Sequence, residues 1–572
     1  MAKQRHDMEQ PFSRLREAWE WSLKKLKTYR ENRTNAVREY VGRYYAEDGK
    51  QGRVALNKIE QLVGIFSRQL AARRPRALVR TKNRGLKNES LRLELSLNDL
   101  VEIIRLGQTL RDIAVDAIFA MGVAKIGLGV NSADDEPQPF VEAVDLDDLV
   151  LDLKATRPDQ MQFIGNRYRV PLEEAKSSPL FNAGVRKDLQ ASDGEDHQQQ
   201  REHEAKRITQ GSDFAGNHEY IPHTELWDFW LPFDDVVITM PASMTGKPLR
   251  VVEWEGPSNG PYRILSFGRV PGNILGLSPV ATLMDLHRVA NGTFGKAVDE
   301  TLALKTVVGF QGGAEADVTR LNNTPDGQSF RMDNPRETQQ MSFGKVHPEL
   351  VAMATMASEE FSRAAGNLDA LGGLQPQSGT LGQDRMLLQS ASKRIADMQD
   401  DMIQFTAGIM GDLAWYEWND PLLNRKVSRK LGDTGISVSM SLTRENRKGN
   451  LDDFDIDIEP YSMQHQSPST RLGTLMEVYQ LFILPNMQMM AAQGIQVNFP
   501  EFLKLISRYT DMTELNDIVM FAGDIQQGQG GTGGRPPNVS VGPKAVPQGD
   551  SAGGSDLKDV LRAFSSAGAA AA

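Results

Sequence analysis

The chain has 572 residues, a net charge of −10 and no cysteine. That length is enough for several domains with sizeable cores, and the missing cysteine excludes disulfides and thiolate metal centres. The acidic balance argues against a protein that coats nucleic acid tightly, because such binding rests on neutralising phosphates, but it permits one that lets nucleic acid pass without sticking.

The start, MAKQRHDMEQPFSRLREAWEW, is charged and lacks the apolar core of a signal peptide. No stretch approaches the roughly 18 apolar residues of a membrane span. Residues 11–45 read as a helix, with Phe12, Leu15, Trp19, Leu23 and Leu26 at three- and four-residue steps. RVALNKIEQLVGIFSRQLAARRPRALVR (53–80) reads as a second helix that stops before Pro75, followed by an extended piece at Ala77, Leu78 and Val79. Residues 90–121 read as one long third helix, and GVAKIGLGV (122–130) and PFVEAVDLDDLVLDL (139–153) as strands. Residues 183–218 are polar and nearly free of large apolar side chains, the composition of a solvated or disordered insertion. Strand character returns over 219–268, punctuated by turn residues.

Ser278 then stands directly before Pro279, a helix-start signal: the hydroxyl can cap free N–H groups, and proline has no N–H to lose at the first position. A helix from Pro279 to Leu304 would be about 39 Å long. A mixed module covers 305–345, and a helix at 348–365 aligns Leu350, Met353, Ala357, Phe361 and Ala364 on one stripe. GNLDALGGLQPQSGTLG (366–382) reads as flexible, because five glycines loosen it and Pro376 forbids a continuous helix. A very long helix follows over 383–418, with a seam of Leu388, Ala391, Ile395, Met398, Met402, Phe405 and Ile409 suited to helix–helix packing. Residues 433–460 read as strand and 468–523 as several helices. The end is Gly/Pro-rich and reads as disordered, with one short amphipathic piece at 556–564.

Catalytic chemistry has little to stand on. GxxxxGK[ST], HExxH and GxSxG are all absent. His218 and His223 flank a proline-containing strand and read as surface histidines without a third ligand. In 452–459, alternation sets Asp453, Asp455, Asp457 and Glu459 opposite Phe454, Ile456 and Ile458. Those carboxylates fit a divalent-metal nuclease site or, more simply, the solvated face of a half-buried strand, since same-face neighbours on one strand seldom converge on one ion. The basic run 68–87 lacks aromatics for base stacking. It reads as a solvated helix end, with Arg73 and Arg74 complementing the helix dipole, or as a charged subunit contact.

The order helix, small module, helix, flexible loop, long helix resembles the portal proteins of tailed bacteriophages, the head-to-tail connectors. The resemblance is carried by VPGNILGLSPVATLMDLHRVANGTFGKAVDETL, LNKIEQLVGIFSRQLAARRPRALVR, SGTLGQDRMLLQSASKRIADMQDDMIQFTAGIMGDLAWYEWNDP and FDIDIEPYSMQHQSPSTRLGTLMEVYQL, and it spans roughly 12–525 outside the 183–218 insertion. It implies an α+β, ring-forming, portal-type fold: a wing (1–278), stem helices (279–304 and 346–365), a mixed α/β clip (305–345), a tunnel loop (366–382), a long helix with further wing strands (383–467), a helical crown (468–525) and a tail (526–572). It implies a DNA channel at one capsid vertex, used for packaging and ejection, with no catalytic role, cofactor, metal or membrane. Ser278 and Pro279 would start the first stem helix, and Asp369, Leu371, Gly372, Gly373, Gln375 and Gln377 would line the channel. The implied partners are further copies of the chain, a dodecamer by family pattern, with capsid and scaffolding proteins, terminase, tail or adaptor proteins and, transiently, double-stranded DNA. Assembly in the bacterial cytoplasm and residence in the virion follow from the same likeness. The readings from other classes are a terminase-like packaging nuclease, against which the missing phosphate loop speaks, and another virion structural protein such as an adaptor or shell subunit.

Overall fold

The computed structural model describes residues 9–42, 56–71, 73–130, 137–191, 220–242, 247–371 (apart from 326, 330, 334 and 337), 381–420, 425–430, 437–459, 463 and 479–486. The chain divides into two units, Met1–His465 and Gln466–Ala572. In the second, the described residues hold a π-helical turn, Tyr479–Ile483, with Tyr479 buried. The remaining crown and tail expectations, including 556–564, lie outside the described residues.

The first unit is mixed α and β. Helix α1 (Glu9–Val41) buries Leu15, Trp19 and Leu26, and Trp19 meets Trp227 and Phe229 edge-on, each at 5.3 Å between ring centres. Helix α2 (Lys58–Leu70) is capped by Asn57, whose side chain accepts the Glu60 N–H, and it turns Ile59, Leu62, Val63, Phe66 and Leu70 into the core. Strand β1 (Ala77–Thr81) pairs antiparallel with β14 (Phe454–Ile458), Ala77 opposite Ile458, and β12 (Arg425–Lys430) pairs antiparallel with β13 (Ser437–Leu442).

The single helix expected over 90–121 is two helices, α3 (Lys87–Ile103) and α4 (Leu106–Phe119). The break falls at Arg105, which takes the left-handed conformation with φ 52°. No proline marks it, and the nearest glycine, Gly107, falls inside the second helix. Packing forces it: Leu100 and Leu106 are both fully buried in one cluster, whereas six residues along a straight helix would point them about 120° apart.

Strands β2 (Gly122–Val130), β3 (Pro137–Val144) and β9 (Tyr262–Leu265) form a sheet in the order β3-β2-β9. Strands β4 (Leu149–Leu151), β5 (Ile164–Pro171), β6 (His223–Leu231), β7 (Val236–Pro241) and β8 (Arg250–Glu253) form an antiparallel five-stranded sheet in that order. Between β5 and β6 lie α5 (Leu172–Ser177) and α6 (Ala183–Lys187). The insertion expected from 183 therefore starts later: α6 is helical, and Leu189 buries beside Ala175, Leu226 and Leu249. Residues 192–219 lie outside the described residues.

Arg33 of α1 is clasped by acids from α4 and from the turn after β3. Its guanidinium lies 2.6 Å from Asp145 and 3.7 Å from both Asp116 and Asp147. Burial pushes Asp116 up to about 7 and Asp147 up to about 6, while Arg33 pulls each back. The folded state thus holds protons that the unfolded chain releases near pH 4. Stability from these groups is present at low pH and falls as pH rises through the folded values. Asp116→Asn leaves the 2.6 Å Arg33–Asp145 pair in place. Thermal melts should show the variant gaining on the parent between pH 5 and pH 8. An unchanged difference across that range would contradict the assignment.

Candidate functional site

Residues 278–371 build an arm. Helix α7 (Met284–Ala303) leads out to strand β10 (Lys305–Phe310), helix α8 (Glu315–Asn323) and strand β11 (Thr338–Phe343), and helix α9 (Pro348–Ala364) returns. β10 and β11 pair antiparallel, Lys305 opposite Phe343. The helices run antiparallel: the rings of His287 and Phe361 lie 6.4 Å apart near the base. Near the tip, Glu300 accepts the His347 N–H at 2.9 Å and lies 3.0 Å from its Nδ1. These bonds hold the Glu300 carboxyl below its usual range.

Ser278 is where the sequence places the start of the arm. Its hydroxyl donates to the Ile118 carbonyl of α4 at 2.8 Å and accepts the Ala281 N–H at 3.0 Å. One buried side chain therefore caps the turn and pins it to the body. The helix itself begins later than expected: a 3₁₀ turn fills Ala281–Leu283, and α7 proper, 20 residues, is about 30 Å long. Val280, Leu283 and Met284 at this base join the core cluster containing Phe66 of α2 and Phe361 of α9. Ser278→Ala should destabilise by about 1–2 kcal/mol, since it removes a cap and leaves the Ile118 carbonyl with only the longer bond from the Val280 N–H, at 3.4 Å. A change below a few tenths in denaturant unfolding would contradict this.

The stripe expected on α9 is displaced. The buried positions are Ala354, Ala357, Phe361 and Ser362, while Met353 is half exposed and Ala364 is exposed. Ala357 and Phe361 of the expected stripe are buried, and Ala354 and Ser362 join them, so the buried stripe is turned toward the Ala354 side of the helix. α9 packs along α7, and the larger Met353 is left outside.

The segment expected to be flexible begins as ordered structure. Gly366 (φ 94°) and Asn367 (φ 55°) close α9 with a Schellman turn, in which the Asn367 N–H bonds the Ser362 carbonyl at 2.7 Å and the Gly366 N–H bonds that of Arg363 at 3.0 Å. A helical turn, α10 (Leu368–Leu371), follows, and Leu368 is fully buried with Phe361, Ile395 and Met398. Asp369 and Leu371 thus sit on a turn anchored in the core. Gly372, Gly373, Gln375 and Gln377 lie outside the described residues. Helix α11 (Leu381–Asn419), about 58 Å long, buries Ile395, Met398, Met402, Phe405 and Ile409, five residues of the expected seam.

Large apolar side chains are exposed along the arm. Val289, Leu302 and Leu304 around α7, Val307 and Phe310 on β10, Met341 on β11, and Val351, Met353 and Met356 on α9 are each at least 41 % exposed. Val307 and Met341 are direct cross-strand partners. Gly292 and Gly295 add open space within α7: a methyl on either would meet no atom within 4 Å. Each glycine costs a helix interior roughly 0.5–1 kcal/mol, and among the described residues no close contact requires either. The signal for this open stretch was present in the sequence as two glycines three residues apart in an otherwise helical run.

The other candidates resolve simply. On β14, Phe454 and Ile458 are buried while Asp455 and Asp457 are exposed. Among the described residues, no group of three His, Asp or Glu side chains is placed to hold a metal ion. His223 opens β6, and His218 lies outside the described residues. No described helix is long and apolar enough to cross a membrane.

A family model described as phage SU10 portal protein matches residues 77–399, more than half of the chain, from β1 through the whole arm and into α11. No curated protein matches the chain. On that match, this chain belongs to the phage SU10 portal protein family.

Proposed function

We propose that copies of this chain close into a twelve-fold ring, the channel at one capsid vertex through which double-stranded DNA is packaged and later ejected. The observation that carries the proposal is the set of exposed large apolar side chains along the arm. Large side chains such as Leu302 (71 % exposed) and Met356 (61 %), beside the open glycines of α7, need a partner surface. A two-stranded ribbon such as β10–β11 is also marginal alone and gains from neighbours. Cyclic head-to-tail contacts between identical arms satisfy both needs.

In this reading α7 and α9 are the stem, 305–345 the clip that meets the terminase motor and then the tail or adaptor proteins, and the sheets of the body the wing. Capsid and scaffolding proteins surround the ring, which assembles in the bacterial cytoplasm and remains in the virion. DNA passes the segment beyond α10, where Gly372, Gly373, Gln375 and Gln377 carry no charge. A lumen with few cations lets DNA slide, because each neutralised phosphate adds affinity. Movement is driven by a separate ATPase, and this chain contributes structure, not catalysis. Native mass measurement tests the reading: twelve copies of 63.4 kDa give about 760 kDa. Monomer or dimer alone under assembly conditions would overturn it.

A further inference from the structure

The β1–β14 pairing joins two basic segments that lie far apart in the chain. Thr81 Oγ1 donates to the Asp453 carbonyl at 3.0 Å, and Arg92 to that of Asn446 at 3.5 Å. Gly449, at φ 91°, lies tight against Leu86: a methyl there would come within 2.8 Å of Leu86 Cδ1. The turn after β1 and the loop before β14 therefore form one surface. Segments 80–92 and 443–450 carry eight Lys or Arg and only two carboxylates, Glu89 and Glu445, in a chain of net charge −10.

Six of those cations are exposed: Arg80, Lys82, Arg84, Lys87, Arg444 and Lys448. None of the six side chains has an ion-pair or hydrogen-bond partner among the described residues. Nearby cations behave differently, since Arg74 pairs with Glu102 at 2.7 Å and Arg76 with Glu459 at 3.5 Å. Acids border the patch on the β14 side without neutralising it. Asp453 is engaged as a cap, accepting the Asn450 N–H at 2.9 Å; Asp455 stands opposite Arg80 in the strand register; and Asp452 is exposed.

The surroundings indicate what the patch takes. Its large apolar residues, Leu86, Leu442 and Phe454, are buried, and the exposed residues among the cations are Asn83, Gly85, Asn88, Gly449 and Asn450, with one exposed carboxylate, Glu445, between Arg444 and Lys448. Protein interfaces centre on aromatic and apolar residues and are depleted in lysine. Single-strand sites need exposed aromatics for base stacking. Cations set among amides and open backbone suit the sequence-independent phosphate contacts of a duplex. We propose that this patch, on the body of the chain and outside the arm, binds the phosphate backbone of double-stranded DNA. It does not depend on ring closure.

The test uses the full chain and a random-sequence 20-base-pair duplex, with binding followed by fluorescence anisotropy between 50 and 200 mM salt. The variant carries Lys82→Gln, Arg84→Gln, Lys87→Gln, Arg444→Gln and Lys448→Gln. Each lost phosphate contact should flatten the log–log salt dependence by about 0.9, so the variant should be flatter by roughly 3–4 and bind at least about tenfold more weakly at 50 mM. Lys24→Gln with Lys25→Gln, exposed on α1, should change neither quantity. Arg84→Lys with Arg444→Lys should keep the parental slope, because charge is retained. Melting curves and native mass, measured alongside, separate a DNA-binding defect from misfolding or lost assembly. If the parent fails to bind duplex, if the five-site variant keeps the parental slope, or if the patch binds poly-glutamate and not duplex, the proposal is wrong.

Discussion

Arg263→Ala should destabilise the first unit by about 3–5 kcal/mol, because it strands a buried carboxylate. Arg263, on β9, grips Asp412 of α11 with two parallel bonds, Nε at 2.7 Å and Nη2 at 2.6 Å. Only 4 % of the Asp412 side chain is exposed. Burial drives its carboxyl upward from the usual range, and Arg263 is what opposes that shift. Without the guanidinium, the fold must either hold an unpaired charge or protonate it. Arg263→Lys should recover only part of the loss, since an ammonium cannot reproduce the planar fork. Arg263→Ala with Asp412→Leu should be milder than Arg263→Ala alone, because the buried charge is gone. Urea unfolding of the three variants checks the order. A loss below about 1 kcal/mol for Arg263→Ala would mean that water reaches Asp412 and the pair behaves as a surface one.

That fork could not be read from the sequence, and the reason applies elsewhere. Local signals carried the elements well. The three- and four-residue seam of α11 predicted Ile395 through Ile409 as buried, and they are. Ser278 before Pro279 predicted a cap, and the hydroxyl accepts the Ala281 N–H. Alternation in 454–458 predicted which side of β14 faces inward. What failed was set by contacts distant in sequence. The kink at Arg105 serves the shared core of Leu100 and Leu106, and Gly107 just beyond it was too weak a signal to announce it. The buried side of α9 is set by its packing along α7, which its own periodicity locates only in part. The basic run 68–87 was visible, but its complement at Arg444 and Lys448 joins it only through the pairing of β1 with β14.

The arm offers the sharpest separation between folding and assembly. Gly292→Gln with Gly295→Gln should leave the single chain as stable as the parent or slightly more so, because each glycine lost from a helix interior returns roughly 0.5–1 kcal/mol. Among the described residues no atom stands within 4 Å of a methyl at either position, so the first carbon of the new side chain meets open space. The ring should respond in the opposite direction. If neighbouring arms approach through the space above these glycines, two glutamines per copy would hold them apart at every interface of a closed ring, and the penalty repeats around the circle. The expected result is a normal melting curve with the species near 760 kDa replaced by the 63.4 kDa chain. Leu302→Gln with Met356→Gln removes apolar area without adding bulk and should weaken the ring less completely. Should the glutamine variant assemble as readily as the parent, the glycines face solvent or the lumen, and the contact between copies must be carried by another side of the arm.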